Sequence, residues 1–231
     1  MNYSFLIISF MFLSVQSFSQ EKKTLNINPL QEGNSNFLAG KFYKYTTFQN
    51  GKIIYKDNTT SEGELNYNRI LGEIHFISAK GDTLQLAHPE TMNLIIIGVD
   101  TFYYFEKGFA QILTHYGTTN LSAKKTLKYI GKEKKGAYGT YSAVASITSY
   151  DSFTADDQIT DMLVADENLL FKYLNSYFLV DAFHNSFPAN KKNFYKLFSN
   201  KEQALKDYFQ KNKFNFQKEE DLKNLLHFLL N

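Results

Sequence analysis

The sequence predicts a mainly β protein with helices gathered at its carboxyl end. The expected α+β architecture is an antiparallel meander sheet, then a hairpin, then three short packed helices. Three observations predict it. Aromatic residues make up 16% of the chain, as 22 Phe and 16 Tyr without Trp, and such side chains suit pleated, half-buried strands. Turn signals recur at short intervals between residues 37 and 130: Asn50 with Gly51, Asp57 with Asn58, Gly72, Lys80 to Asp82, Gly98, Lys107 with Gly108, and Gly117. After Pro188 the apolar spacing changes to that of helices.

Taken in order, residues Phe5 to Val15 form an apolar run broken only by Ser9 and Ser14. It falls short of the roughly 20 residues that span a bilayer. Ser17 and Ser19 occupy the two small-residue positions read by a signal peptidase, so 1–19 is expected to be a signal peptide cleaved after Ser19. The start of the chain departs from that pattern, because Met1 to Ser4 carries no Lys or Arg. Residues 20–36 then form an amino-terminal extension.

The meander is expected over 37–130. Asn50 and Gly51 lie between Tyr45 to Phe48 and Lys52 to Tyr55, which reads as a hairpin turn, since both residues tolerate positive φ. Leu65 and Tyr67 alternate with Glu64, Asn66 and Asn68, and Ile74 and Phe76 with Glu73 and His75, which predicts strands with one solvated face. Leu94 to Ile97 has no polar alternate and is expected at the sheet centre. Phe109, Ile112, Leu113 and Tyr116 have helical spacing, but the run is short, and it is read as a strand.

Residues 131–161, with Gly131, Gly136, Gly139 and many small residues, read as a flexible Gly/Ser/Thr-rich loop. A β-hairpin over 162–187, turning at Asn175 and Ser176, is expected to complete the sheet. The 188–231 segment holds the helices. Asn190 caps the first, with Phe194, Leu197 and Phe198 on one face. Ser199 and Glu202 form a capping box for the second, and Glu219 to Asp221 lie in the first turn of the third, whose stripe is Leu222, Leu225, Leu226 and Leu229.

Composition narrows function mainly by exclusion. The 231 residues carry 25 Lys and Arg against 23 Asp and Glu, a formal charge of +2, which gives no global drive toward nucleic acid or anionic membrane. Arg69 is the single arginine, so the planar fork that grips phosphate or guanine edges is nearly absent. There is no cysteine, hence neither disulfides nor a lipid anchor on cysteine.

The runs Gly51–Asp57, Leu65–Asn68, Gly72–Ile77, Gly81–Leu84 and Ile97–Tyr104, with the tail segments Pro188–Phe198 and Lys218–Leu226, are similar to uncharacterised exported proteins of Bacteroidetes. The resemblance spans most of the mature chain and implies bacterial export. It carries no activity onto any residue.

Candidate sites are sparse. His75 and Glu73 share a strand face and could both reach a metal, with His88, His115 or His184 completing the set, but nothing in the sequence brings these together, and a solvated face is the favoured reading. The acidic stretch from Asp151 to Glu167 matches no calcium loop. Lys124, Lys125, Lys128, Lys132, Lys134 and Lys135 form a basic patch able to meet an anionic surface, while Tyr138, Tyr141, Tyr150 and Phe153 give the loop a partner-contact surface. No nucleophile elbow, zincin motif or phosphate loop is present. The sequence therefore predicts an exported, periplasmic or secreted, non-catalytic envelope protein that binds an envelope protein or surface component. It predicts no catalytic residue, cofactor, metal or nucleic-acid partner, and no transmembrane segment in the mature chain. A carrier for an apolar ligand such as a lipid is the alternative, and a hydrolase built from distant residues the third reading.

Overall fold

The computed structural model describes residues 24–28, 40–135, 141–144 and 168–230. The expected signal peptide and most of the amino-terminal extension lie outside the described residues. The strands are β1 (Thr24–Ile27), β2 (Gln49–Tyr55), β3 (Thr60–Asn68), β4 (Glu73–Ile77), β5 (Thr83–Gln85), β6 (Met92–Ile97), β7 (Asp100–Tyr104), β8 (Phe109–Tyr116), β9 (Thr119–Lys135), β10 (Tyr141–Val144), β11 (Asn168–Val180) and β12 (Ser186–Pro188). Among the described residues every strand pairing is antiparallel, in the order β1-β11-β9-β8-β7-β6-β2-β3-β4-β5, with β10 on β9 and β12 on β11. Three helices follow: α1 (Lys191–Leu197), α2 (Glu202–Lys211) and α3 (Glu219–Leu230). Among the described residues no helix is long and apolar enough to cross a membrane.

The sheet curls until its two halves meet. Beyond β3 the chain turns at Gly72, where φ is +70°, a conformation that costs glycine nothing. The turn reaches across the curl, so that Leu127 N–H donates to Arg69 C=O at 2.8 Å and Phe109 N–H to Gly72 C=O at 2.9 Å. Ile53, Leu65, Tyr67, Ile74, Ile95, Ile97 and Phe102 pack together as one buried cluster. As expected, β6 sits centrally in the strand order, with Ile95 and Ile97 fully buried.

Two turn assignments move. Asn50 and Gly51 lie within β2, opposite Glu64 and Gly63 of β3. What requires glycine there is close approach: a Cβ on residue 51 would sit 2.6 Å from Leu65 Cδ1 and 2.8 Å from Ile96 O. The hairpin turn falls instead at Asp57 and Asn58, where Asn58 has φ 66° and the Asp57 carboxylate accepts the Thr59 N–H at 2.9 Å. Likewise Asn175 and Ser176 do not turn. They continue β11 opposite Lys125 and Lys124, and the chain reverses later, at Asp181 to Asn185, into β12.

Solvation of the β3 and β4 outer face also differs from expectation, since Asn66, Asn68 and His75 are buried. The segment before β2 lies over them. Asn66 accepts from Tyr45 N–H at 3.2 Å and donates to Tyr45 C=O at 2.9 Å, which offsets the cost of burying an amide.

Residues 131–135, read as the start of a loop, prolong β9, and 141–144 pair back onto it as β10. The rest of the expected loop, 136–140 and 145–161, lies outside the described residues. The helices cover one end of the concave face: Phe194, Phe198, Leu205, Leu222, Leu225, Leu226 and Leu229 bury against Leu121, Tyr177 and Leu179. Asn190 caps α1 as expected, accepting Asn193 N–H at 3.0 Å. The capping box does not form, because Ser199–Lys201 wind into a 3-10 turn and α2 begins at Glu202 without a side-chain cap.

Candidate functional site

Three buried apolar clusters divide the concave face: one inside the curl, one under the helices, and a third around Phe42, Leu127 and Phe171. A cleft of about 750 Å³ draws on all three regions, through Tyr67 and Phe102 of the first, Ala123 of the second and Tyr173 beside the third. Around these apolar residues stand Lys44, Arg69 and Lys125, with Gln111 and Asn175, whereas Lys172 borders the cleft only at the edge of β11, its side chain on the opposite face beside Lys128.

Each cation reaches the cleft by a different route. Lys44 comes from the segment laid over β3, held by Lys44 N–H donating to Tyr67 C=O at 2.9 Å. Arg69 is placed by the turn that closes the curl, and its guanidinium donates to Lys44 C=O at 3.2 Å. Strand alternation puts Lys125 on the same face as Ala123 and Leu127, opposite Asn175 of β11.

Two carboxylates answer the three cations. Asp100 accepts from Tyr45 Oη at 2.5 Å and Gln111 Nε2 at 2.7 Å, and lies 3.3 Å from Lys44 Nζ. Glu219, in the first turn of α3, pairs with Lys125 at 2.7 Å and Lys223 at 2.6 Å. Among the described residues, Arg69 has no acidic partner within ion-pair distance. The cleft therefore keeps an excess of positive charge beside aromatic carbon.

The ionisation shifts follow from this burial. Desolvation lowers the Lys44 pKa, Asp100 pulls it back up, and Lys125 and Arg69 push it further down. Burial raises the Tyr67 hydroxyl well above the usual tyrosine range, against the pull of Arg69, so it remains a donor at neutral pH. That hydroxyl is buried and has no hydrogen-bond partner among the described residues. Burial acts to raise Glu219, but hydrogen bonds from Lys125 and Lys223 outweigh it and hold the carboxyl below its ordinary value.

None of the known protein-family models, curated proteins or solved structures matches the chain. What the cleft can do is therefore read from its residues. Its lining holds cations, amides, hydroxyls and aromatic rings, with no histidine or carboxylate among the described lining residues. This is the equipment for holding an anion against an apolar surface.

The expected basic patch is split by strand geometry. Lys124 and Lys128 face away from the cleft, opposite Ser176 and Lys172. Lys124 Nζ donates to Glu106 C=O at 2.8 Å and lies 5.1 Å from the Phe105 ring centre. Only Lys125 enters the cleft. A register shift between Leu170 and Phe171 then reverses the alternation, placing Lys132 opposite Leu169. Lys134 and Lys135 pair through their backbones with Ser142 and Tyr141, and their side chains fall outside the described residues. So do the Tyr141 side chain, all of Tyr138, Tyr150 and Phe153, and the acidic stretch Asp151 to Glu167.

His75 is not on a solvated face. Tyr43 Oη lies 2.8 Å from its Nδ1, and Glu73 Oε2 lies 3.8 Å from its Nε2. Among the described residues no group of three or more His, Asp or Glu gathers for a metal. Lys44, Arg69, Tyr67 and Gln111 were not legible as a site, because the residues converge from four separate strands, segments and turns. The one available signal was that the chain's single arginine follows an aromatic-alternating strand.

Proposed function

We propose that the protein is an exported, non-catalytic binding module of the cell envelope whose partner presents an anionic group to this cleft. The observation that carries the reading is the meeting of Arg69, without an acidic partner among the described residues, with Tyr67, Phe102 and Tyr173 in one cavity beside Lys44 and Lys125. A carboxylate, sulfate or phosphate would supply the missing countercharge, and the aromatic surface would receive the apolar part of the same partner. Inside the curl the buried side chains pack on one another, which favours a docking cleft over an enclosed chamber for a neutral apolar ligand.

A second reading is favoured by the cleft volume of about 750 Å³, which falls in the range of small-molecule sites of roughly 300 to 1,000 Å³. Under it the protein carries an acidic amphiphile such as a fatty acid. Native mass spectrometry of the protein purified from its own envelope distinguishes the two. A co-purifying fatty acid supports the carrier, and a bare protein that binds acidic peptides supports the docking module. A co-purifying neutral lipid contradicts both.

A further inference from the structure

The outer edge of β11 is covered in two pieces. β1 pairs with Leu169 to Lys172, and β12 with Phe178 to Val180. Between them Tyr173 to Ser176 has no strand partner on that side among the described residues. The same stretch, Lys172 to Ser176, forms the wall of the cleft.

The direction of the backbone groups is set by the ladder. Tyr177 C=O accepts the Ala189 N–H at 2.8 Å, on the outer side. In an antiparallel strand the N–H and C=O of one residue point the same way and alternate residues point oppositely. From Tyr177 back to Phe171 the register with β9 is unbroken, so Asn175 and Tyr173 also aim their N–H and C=O outward. No described residue accepts or donates there. Their side chains lie on the concave face, Asn175 opposite Lys125 and Tyr173 opposite Leu127.

We propose that an extended acidic peptide adds to the sheet as a strand at this gap. It would exchange main-chain hydrogen bonds with Tyr173 and Asn175 and point alternate acidic side chains into the cleft. Strand addition supplies main-chain affinity, and alternate side chains supply specificity. Side chains of the added strand opposite Asn175 and Tyr173 fall on the cleft face, where Lys125 and Arg69 stand. The acidic choice follows from charge complementarity, and the proposal rests on the anion-binding reading of the cleft.

The test uses a pool of acetylated, amidated pentapeptides with glutamate fixed at positions two and four and the other positions mixed. It is added to the mature protein, and amide exchange is read by NMR. We expect the Tyr173 and Asn175 amides to exchange rapidly in the free protein and to slow at least about tenfold with the pool. A matched glutamine pool should have a weaker effect. Asn175→Pro removes only an outward donor at a strand edge, where proline is tolerated, and should abolish the protection nearby. Arg69→Gln should weaken it with the edge intact. Slow exchange of both amides before peptide is added would mean that another part of the chain fills the edge, and would overturn the proposal. Should N-acetylglutamate shift the cleft resonances while the pool leaves both amides unprotected, anion binding stands and strand addition fails. If neither ligand perturbs the cleft, both fall.

Discussion

A single atom's worth of space decides the role of Gly51. A methyl there would approach Leu65 Cδ1 to 2.6 Å and the Ile96 carbonyl to 2.8 Å, and the second contact is with backbone that cannot rotate away. Gly51→Ala is therefore expected to cost about 1–3 kcal/mol, the usual range for overpacking, read as a lower denaturation midpoint with an unchanged slope. Had the residue occupied a hairpin turn with open space around it, the substitution would act through φ alone. The Asn-Gly pair shows how a local signal misleads: the same residue serves a positive-φ turn or a close strand approach, and only the neighbouring strands distinguish them. Lys44 gives a second residue-scale expectation. Burial lowers its pKa, so it loses its charge at lower pH than an exposed lysine does. Only the protonated form attracts an anion, so the Lys44 contribution to cleft affinity for a sulfate probe should be greatest at the acidic end of the range. It should fall as pH rises through the lowered pKa, earlier than an ordinary lysine would allow. Calorimetric titration from pH 7 to 10 checks this, and Lys44→Gln should remove that part of the pH dependence.

The elements are held together by the carboxyl-terminal helices. Leu226 of α3 is fully buried in the cluster containing Leu121, Tyr177 and Leu179, and Leu226→Ala is expected to cost roughly 2–5 kcal/mol. Removing 189–231 uncovers that whole face, and we expect the truncated protein to lose its cooperative thermal transition. An unchanged melting curve would make the helices an independent module. Glu219 links α3 to β9 through Lys125, and its carboxyl is held below the ordinary value. A carboxylate with a depressed folded-state pKa contributes stability that is complete above its unfolded value near pH 4.5 and is lost as pH falls through the folded one. Glu219→Gln should accordingly be less stable than wild type by about 1 kcal/mol at pH 7, with the difference closing below pH 4.5. Helix positions were legible here because the Leu stripe and the acidic first turn of α3 are local signals. The continuity of β11 through Asn175 and Ser176 was not. Those residues need no positive φ, and what holds them extended is the facing strand β9, whose partners lie about fifty residues earlier in the chain.

For the whole molecule, the fold class was readable and the site was not, and one cause explains both. Strand alternation, the apolar run Leu94 to Ile97 and the change of period after Pro188 are properties of neighbours in sequence. The cleft instead depends on how tightly the sheet curls, which brings Arg69 to Leu127 and sets Lys44 and Lys125 around Tyr67 and Phe102. The lysine run from Lys124 to Lys135 looked like one patch because it is one in sequence; pleating and a register shift divide it between faces. Charge in the cleft comes from single cations on separate elements, with Arg69 lacking an acidic partner among the described residues.

The most direct test of that central claim is a titration of the isotope-labelled mature protein with sodium sulfate at constant ionic strength, followed by amide chemical shifts. Saturable shifts should be confined to Tyr67, Arg69, Gln111, Lys125 and Asn175. In Arg69→Gln the apparent affinity should fall roughly tenfold, the loss of one charge-assisted contact. Shifts that grow linearly without saturation, or that gather on the lysines of α1 and leave the cleft unmoved, would contradict the account.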